Sequence, residues 1–397
     1  MLKHWWPLLL TMVIQAVVAL ALLTLPVIAP VVAGAIKISP ALVGLYVSVT
    51  YAGAMVSSLL GGATVARVGA IRVSQWGLVL CALGLLLCAV PWIPSMVLGA
   101  VLIGLGYGPI TPASSHLLAR TTPKNKMSLV FSIKQTGVPL GGMVAGAVVP
   151  PLALATNWQA SLVAVAGACL LCAWLSQCLR KELDSDRQPN ASIRWSSLVQ
   201  PIRLVLAHRA LVTMASCSFL FSIVQLSLTT YLVTFLYDDL SYGLVAAGLA
   251  LSVTQLGGIG GRLAWGYVAD RWLGARRTLL LLASMMALGA LASAFLTVNT
   301  PQGLVIAILL AFGASAIGWN GVYLAEVARR APAGMASMAT GGTLAFTFLG
   351  VVVGPPIFGA LSGLFGTYRA GFGGLMVVTL IGGALLFRSQ QPARNTI

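Results

Sequence analysis

The 397 residues are 59% hydrophobic and only 8% charged, whereas a soluble domain carries roughly 25% charged residues. This composition excludes an ordinary soluble enzyme or binding domain and places the chain in a lipid bilayer. The net charge of +16 does not indicate nucleic acid, because the basic residues lie in short clusters between apolar runs, the pattern that orients membrane proteins.

Twelve apolar runs predict an all-α integral membrane protein with twelve transmembrane helices, since a hydrocarbon core of ~30 Å takes about 20 helical residues. The predicted spans are 7–33, 41–66, 74–92, 95–119, 128–153, 157–179, 208–236, 243–270, 277–298, 303–328, 335–364 and 368–388. The first run, from Trp5 to Ile36, has no charged residue and is too long for a cleavable signal. The runs are continuous and do not alternate, which argues against membrane-crossing strands.

One long polar segment divides these helices into six and six. It predicts an N-terminal half at 1–179, a linker at 180–207 and a C-terminal half at 208–397. Of the 23 lysines and arginines, 19 lie in segments on the same side as this linker, and only Lys37 and Arg369 lie in loops on the other side. By the positive-inside rule, we expect a bacterial-type inner membrane with the linker and both termini in the cytoplasm.

The two predicted halves resemble each other at their cytoplasmic loops. Gly62, Arg67 and Arg72 recur as Gly266, Arg271 and Arg276 or Arg277, while Arg120, Pro123 and Ser128 recur 209 positions later as Arg329, Pro332 and Ser337. Such an internal repeat about a central loop is typical of transporters whose halves rock against each other.

The stretch Gly266-Tyr-Val-Ala-Asp270-Arg271-Trp-Leu-Gly274-Ala-Arg276-Arg277 resembles the cytoplasmic-loop signature of the major facilitator superfamily, with one extra residue before Gly274. The first-half copy, which runs from Gly62 to Arg72, has Ala66 where the family has aspartate. The resemblance covers essentially the whole chain and implies two six-helix pseudo-repeats around a central cavity. A shared fold says little about the substrate.

Two basic residues lie inside predicted helices, Lys134 in the fifth and Arg262 in the eighth. At 1.5 Å per residue, both are roughly 9–12 Å from the inner face. A charge at that depth is costly and indicates function. None of the seven carboxylates is placed to neutralise them, so a mobile anion is the expected counter-ion. The alternative is that both side chains reach the surface or bond backbone carbonyls.

In the superfamily, the fifth and eighth helices meet at the central cavity, so the resemblance implies that Lys134 and Arg262 face one substrate from two sides. An arginine eight residues before the loop aspartate is similar to the oxalate/formate and monocarboxylate branches, where it engages a carboxylate through its planar fork. Other predicted binding residues, each with helix packing as its alternative role, are Gln135, Gln255, Tyr51, Tyr107, Gln225, Trp319, Asn320 and Tyr323. Further polar or aromatic candidates on the presumed cavity helices are Gln15, Thr24, Tyr46, Thr111 and Thr229.

A set of charged residues at the predicted inner surface is implied by the resemblance to be a gate that closes when the cavity opens outward. The set is Asp270, Arg271, Arg276, Glu326, Arg329 and Arg67. The alternative is that these charges only orient the helices and pair at helix ends.

These residues predict a secondary active transporter of a small organic anion, a carboxylate, which works by alternating access as a proton symporter or an anion exchanger. One rival is a proton-coupled exporter of drugs or metabolites, to which the partial glycine–proline motif from Gly137 to Gly142 bears some likeness. Another rival is a receptor or scaffold on a transporter fold, supported by Ala66 alone. We expect no enzyme, cofactor or metal site, no nucleic-acid partner, and a monomer embedded in lipid.

Overall fold

A computed structural model of the protein describes residues 5–123, 127–188, 196–332 and 335–388. Every regular element within these ranges is a helix, and no strand is present there. The all-α membrane fold predicted from the sequence is confirmed.

Twelve helices, named α1 to α12 in chain order, cross the bundle, and four of them are interrupted. Their bounds are Trp6–Val27 and Ala29–Ile36 for α1, Val43–Val68 for α2, Ala70–Cys88 for α3, Ile93–Tyr107 and Ile110–Thr121 for α4, Met127–Gln135 and Gly137–Ala155 for α5, Trp158–Leu183 for α6, Arg209–Asp238 for α7, Leu244–Val268 for α8, Gly274–Ala294 for α9, Gln302–Ala316 and Asn320–Arg330 for α10, Ala336–Phe365 for α11, and Tyr368–Arg388 for α12. We call α1–α6 the N-terminal half and α7–α12 the C-terminal half. The predicted linker contains a further helix, Ser196–Ala207, called the linker helix, and its role as a domain boundary stays a prediction.

The number of spans depends on one long helical stretch. Leu244–Ala294 has 51 residues, more than twice the roughly 20 that one crossing takes. Its α-helical pattern changes at Ala269–Leu273, and Gly274 then adopts a φ of +74°, which glycine tolerates without steric cost. The stretch therefore holds two helices, α8 and α9.

Large apolar side chains cover the outside of the bundle, where a soluble protein would carry charge. Trp174 is 71% exposed, Phe295 75% and Leu364 81%. The contact between α5 and α8 instead uses small residues, because a Cβ at Gly146 or Gly248 would overlap the carbonyl oxygen of the other. Apolar residues outside and small residues between helices are typical of helices packed in a bilayer, so the chain is a multi-pass membrane protein.

The helix ends form two faces. The basic face carries Arg67, Arg120, Arg271 and the linker helix, and the other is called the opposite face. Five basic residues used to orient the chain lie outside the described residues, namely Lys3, Lys124, Lys126, Arg194 and Arg394.

Tyr231 of α7 joins the two halves at the opposite face. Its hydroxyl lies 2.7 Å from the Ala41 carbonyl oxygen of the N-terminal half and 3.0 Å from the Pro355 carbonyl oxygen of its own half. Its ring stacks on Phe358 at 4.6 Å, and a Cβ at Gly44 would overlap the hydroxyl. A buried hydroxyl shared between carbonyls of both halves therefore holds this face together.

Two serines add hydrogen bonds between the halves, since Ser48 Oγ donates to the Val352 carbonyl and Ser252 Oγ donates to the Met143 carbonyl at 2.8 Å.

Towards the basic face, by contrast, a vestibule of about 300 Å³ separates α2 and α4 from α11 and the linker helix. Its lining residues are Met55, Ser58, Leu59, Thr111, Pro112, Ser115, Pro201, Ile202, Thr340, Gly341, Leu344, Ala345 and Phe348. The opposite face is thus closed, and the space between the halves lies towards the basic face.

We predict that Tyr231→Phe destabilises this closed opposite face. The change removes one hydroxyl donor and keeps the ring, so it should cost about 0.5–1.5 kcal/mol, roughly two- to tenfold in the balance between closed and open forms. Spin labels at Lys37 and Leu364, exposed residues of the two halves near this face, should report a longer distance component in a background without the exposed Cys178.

The matched control is Tyr237→Phe, which removes a hydroxyl from an exposed position at the same end of α7. It should leave the distance distribution unchanged. Equal distributions for wild type, Tyr231→Phe and Tyr237→Phe would mean that the Tyr231 hydroxyl does not hold the face.

Candidate functional site

Three helices are interrupted beside the predicted site residues. Tyr107 ends the first segment of α4, Lys134 and Gln135 end the first segment of α5, and Trp319 directly precedes the second segment of α10, which begins at Asn320. A break in a membrane helix releases backbone groups that can hold side chains or ligands. The predicted site residues therefore lie next to backbone groups that these helix breaks release.

Arg262 of α8 binds the carbonyls at two of these breaks. Its Nε donates to the Ile317 carbonyl at 3.1 Å, and its Nη1 makes a short hydrogen bond to the Gln135 carbonyl of the N-terminal half. The Gln135 carbonyl is available because Pro139, four residues later, has no N–H to donate within the helix. The 8%-exposed Arg262 therefore links the halves, with three of its five N–H donors unbonded to the described residues.

Lys134 is more deeply buried than Arg262, and its ammonium group has no hydrogen-bond acceptor within the described part of the chain. Its side chain is 1% exposed and makes no hydrogen bond or ion pair with the described residues. The nearby positive charge of Arg262 repels it. All seven carboxylates are described, and the ion pairs they form involve other bases, so the site carries positive charge that no acidic side chain balances.

A small cavity lies between the halves, and four predicted binding residues line it. Its lining is Ala19, Leu22, Leu23, Tyr51, Tyr107, Val138, Gln225, Leu226, Thr229, Gln255 and Ile317. The volume is about 20 Å³, close to the minimum of ~10–15 Å³ that holds one water. This conformation is therefore nearly closed around the site, which must expand to admit a substrate.

Lys134 and Arg262 lie beside this cavity, on the side of the basic face. Lys134 is one helical turn from Val138, which lines the cavity, and Arg262 is about two turns from Gln255, which also lines it. Arg262 bonds the carbonyl of Ile317, a third lining residue. Along the helix axes, the two cations therefore lie between the basic face and the cavity.

Gln225 connects the cavity to the break in α10. Its Oε1 accepts hydrogen bonds from Trp319 Nε1 at 2.9 Å and Asn320 Nδ2 at 3.2 Å. Trp319 is fully buried and packs edge-on against Phe221 and Tyr323, with ring centroids 5.6 and 5.1 Å away. The structure thus places Trp319 and Tyr323 behind Gln225, within the C-terminal half, and their contact with a substrate stays a prediction.

Phe348 of α11 was not identified from the sequence. It lines the vestibule, and its ring centroid lies 6.2 Å from that of Tyr51, which lines the cavity and packs edge-on against Tyr107 at 5.7 Å. These aromatic rings separate the vestibule from the cavity. A phenylalanine in an apolar helix carries no signal that distinguishes it from packing residues.

Three of the predicted gate residues are unpaired in this conformation. Arg67, Asp270 and Arg271 are exposed at the basic face, and none forms an ion pair with the described residues. Separation of these charges is what the gate hypothesis expects when the vestibule is open. It is also what charges that only orient helices would show, so the gate stays a prediction.

The other gate residues pair within the C-terminal half. Glu326 is 8% exposed and binds Arg329 at 3.3 Å and Arg330 at 2.7 Å, all on α10. Arg276 donates to the carbonyls at the end of α12, including that of Phe387 at 2.7 Å. Within the described ranges, no ion pair joins the halves at the basic face.

The N-terminal half has its own charged cluster after α6. Asp186 binds His116 at 2.7 Å and Arg120 at 2.5 Å. Partial burial opposes ionisation of Asp186, but the hydrogen bond from His116 and the charge of Arg120 prevail and lower its pKa. His116 therefore serves this surface cluster, away from the central cavity.

Comparisons with known proteins agree with this architecture. The sequence profile of the Major Facilitator Superfamily matches residues 11–345. A hexuronate transporter of Bacillus subtilis is 22% identical over 62% of this chain, and a chloroplastic sodium-dependent phosphate transport protein of Arabidopsis thaliana is 23% identical over 53%. The aligned regions span 60% and 44% of those relatives.

Solved structures share the fold over nearly the whole chain. The nucleoside transporter NupG has a TM-score of 0.77 at 16% identity and covers 96% of this chain and 97% of its own. A bacterial homolog of the human lysosomal transporter Spinster, in an inward-facing and unoccupied conformation, has a TM-score of 0.77 at 15% identity, with 97% and 96% covered. Since the profile match covers most of the sequence and the fold agrees throughout, this chain belongs to the Major Facilitator Superfamily, a family of membrane transporters.

Proposed function

We propose that the protein carries a small organic carboxylate across the membrane by alternating access of its two halves. The observation that carries the proposal is the pair of buried cations, Lys134 and Arg262, contributed by opposite halves and unbalanced by any carboxylate of the chain. Leaving such charge permanently uncompensated inside a membrane is unfavourable. An anionic substrate supplies the missing charge.

The surroundings of the cations favour a polar organic anion. Three Arg262 donors make no hydrogen bond with the described residues, which leaves enough of the planar fork for a carboxylate. Tyr51, Tyr107, Gln225 and Gln255 offer hydroxyl and amide groups to the rest of the molecule. The hexuronate and phosphate transporters among the relatives support an anion, and the polar groups of the cavity suit an acid that carries hydroxyl groups.

Alternation follows from an exchange of partners at Arg262. In this conformation, the guanidinium bonds the Gln135 carbonyl of the other half. A carboxylate that competes for the same donors weakens this link between the halves. Its negative charge instead attracts both cations, one from each half. With the basic face in the cytoplasm, the present conformation faces inward, and substrate reaches the site past Phe348 and Tyr51.

The two rival functions have less support. An exporter of cationic drugs needs an acidic group near the site, and all seven carboxylates lie elsewhere among the described residues. A receptor or scaffold has no need of two unbalanced cations beside a cavity. Transport by the purified protein in liposomes separates both rivals from the proposal.

A thermal-shift screen of the purified protein tests the substrate class. D-glucuronate, lactate and inorganic phosphate are the probes, and D-glucose is the uncharged control. A ligand at a hundredfold excess over its Kd stabilises the native state by about 2.7 kcal/mol, so binding is readily seen. Stabilisation by cationic drugs but by no carboxylate would favour the drug exporter over the carboxylate transporter.

Arg262→Lys is expected to fold and insert normally but to lose most of its affinity for D-glucuronate. The substitution keeps the charge and removes the planar fork, at a cost of about 1.5–3 kcal/mol, or roughly ten- to hundredfold in Kd. Titration calorimetry measures the loss. Arg209→Lys, at an exposed position of the basic face, is the matched control and should bind as wild type.

Pro139→Ala is expected to tighten glucuronate binding. The new N–H at position 139 can donate to the Gln135 carbonyl, which then competes less for Arg262, and the gain should be about 0.5–1.5 kcal/mol, or roughly two- to tenfold in Kd. Pro151→Ala, about three turns further along the same helix and out of reach of the Gln135 carbonyl, should have no effect. Unchanged or weaker binding in Pro139→Ala would argue against the exchange of partners at Arg262.

The orientation is testable by itself. Reporter fusions after Arg187 and after Arg388 should both be cytoplasmic, because the basic residues concentrate on that side. A reporter outside the cell at either point would overturn the inward-facing assignment while leaving the fold untouched.

A further inference from the structure

We propose that an apolar groove near the opposite face of the N-terminal half binds one acyl chain of an anionic phospholipid, whose headgroup is held by Lys37. The groove has a volume of about 190 Å³ and lies between the end of α1, the start of α2 and the start of α4. It shares no lining residue with the central cavity or the vestibule. The site does not depend on what the protein carries, and only its effect on alternation rests on the proposed function.

The groove is apolar and opens towards the hydrocarbon of the bilayer. Among its lining residues only Tyr46 has a polar group, and the Tyr46 hydroxyl is buried, so the groove offers water few hydrogen-bond partners. Three other lining residues, Leu45, Ile93 and Val97, are 52%, 53% and 47% exposed on the outside of the bundle. In a bilayer this outside is covered by acyl chains, which are as apolar as these side chains. An acyl chain is therefore the group that fills the groove.

Trp92 marks the level of the groove in the bilayer. It is 63% exposed and directly precedes Ile93, and exposed tryptophans of membrane proteins are enriched at the level of the headgroups. Ala100 lies seven positions after Ile93 and is the last residue of α4 in the lining. At 1.5 Å per residue, the groove reaches about 10 Å into the hydrocarbon. That depth takes the first part of an acyl chain and leaves the headgroup at the surface.

Lys37 supplies the charge that selects the headgroup. It lies between Ile36 and Ile38, which both line the groove, and its exposed side chain forms no ion pair with the described residues. The carboxylates at this face, Asp238 and Asp239, belong to the C-terminal half. Acyl chains differ little in polarity, so they do not distinguish one phospholipid from another. An unpaired cation beside the groove does, because it favours a headgroup with net negative charge.

One wall of the groove also holds Tyr231. The segment 29–42 forms this wall and includes Leu42, and the carbonyl of the preceding Ala41 accepts the Tyr231 hydroxyl at 2.7 Å. An acyl chain packed against Leu42 supports Ala41 in the position that binds Tyr231. The lipid therefore binds the form with the closed opposite face more tightly than the open form, and by linkage it stabilises the closed form.

The first experiment is photocrosslinking of the full chain in nanodiscs of phosphatidylcholine. Two lipid probes carry a diazirine in the first part of one acyl chain and differ only in the headgroup, which is phosphatidylglycerol in one and phosphatidylcholine in the other. We expect adducts on residues 36–49 and 93–100, as mapped by peptide mass spectrometry. The phosphatidylglycerol probe should give about fivefold more of them, which is the preference that one basic residue near an anionic lipid supplies.

Two pairs of variants test the headgroup contact and the groove separately. Lys37→Gln should lose the preference for phosphatidylglycerol, whereas Lys37→Arg should keep it. Val97→Trp fills the groove and should remove most of the labelling by both probes. Leu98→Trp, at the next residue of α4, which is 52% exposed but outside the groove lining, is the matched control and should be labelled as wild type.

The second experiment measures the distance between spin labels at the exposed residues Ala35 and Leu364, in a background without Cys178. These labels leave Lys37 in place. Nanodiscs that contain phosphatidylglycerol should give more of the short, closed component than nanodiscs of phosphatidylcholine alone, and Lys37→Gln should remove the difference. Equal distributions for wild type in the two lipids would overturn the link between the lipid and the closed face.

Three results of the crosslinking would overturn the site itself. These are equal labelling by the two probes, labelling spread evenly over the lipid-facing helices, and unchanged labelling of Val97→Trp. A dimer that shields the groove from both probes, seen by native mass spectrometry, would overturn it as well. Because Lys37 is exposed, Lys37→Gln decides the headgroup contact even if Val97→Trp fails to fold. Failure of every carboxylate in the thermal-shift screen would instead overturn the proposed function and leave the lipid site standing.

Discussion

A positive charge that the chain leaves unbalanced governs the centre of this protein. Arg262 and Lys134 come from opposite halves, lie inside the membrane-spanning helices, and meet no carboxylate. The fold treats them differently. The guanidinium is stabilised by two carbonyls that broken helices provide, and the ammonium group finds no acceptor among the residues that the structure describes. Two basic groups with different surroundings are thereby contributed to one site by the two halves, and their combined positive charge favours an anionic ligand.

The interruptions of the helices create this arrangement. An unbroken membrane helix satisfies its own backbone groups and offers nothing to a side chain. Pro139 removes one N–H from α5, and the freed Gln135 carbonyl becomes the point where the N-terminal half holds Arg262 of the C-terminal half. The site therefore owes its cross-half contact to a missing hydrogen bond four residues away.

The sequence predicted the features that stand out against an apolar background and missed those that do not. Twelve spans follow from apolar runs, and Lys134 and Arg262 are visible because charge is rare in such runs. Tyr51, Tyr107, Gln225 and Gln255 were placed at the cavity through the family's helix arrangement, and the cavity lining includes all four. Periodicity does not say which side of a buried helix faces a cavity, so Trp319 and Tyr323 were grouped with them although they pack behind Gln225. The roles of the Gln135 carbonyl and of Phe348 have no sequence signal, because a backbone group has no residue type and an aromatic ring in lipid is ordinary.

The two faces of the bundle carry different kinds of groups where the halves meet, and this difference matters for the proposed alternation. At the opposite face, neutral hydroxyl–carbonyl bonds such as those of Tyr231 and Ser252 act with close glycine contacts, each bond contributing about 0.5–1.5 kcal/mol. At the basic face, the available groups are surface charges such as Asp270 and Arg67, whose pairs are typically worth about 0–1 kcal/mol. A few hydroxyl–carbonyl bonds and a few surface ion pairs have similar total strength. The conformation closed at one face and the conformation closed at the other are therefore close in free energy. In the proposed mechanism, a carboxylate that replaces one carbonyl on Arg262 acts on the same energy scale as these contacts and shifts the balance between the two conformations.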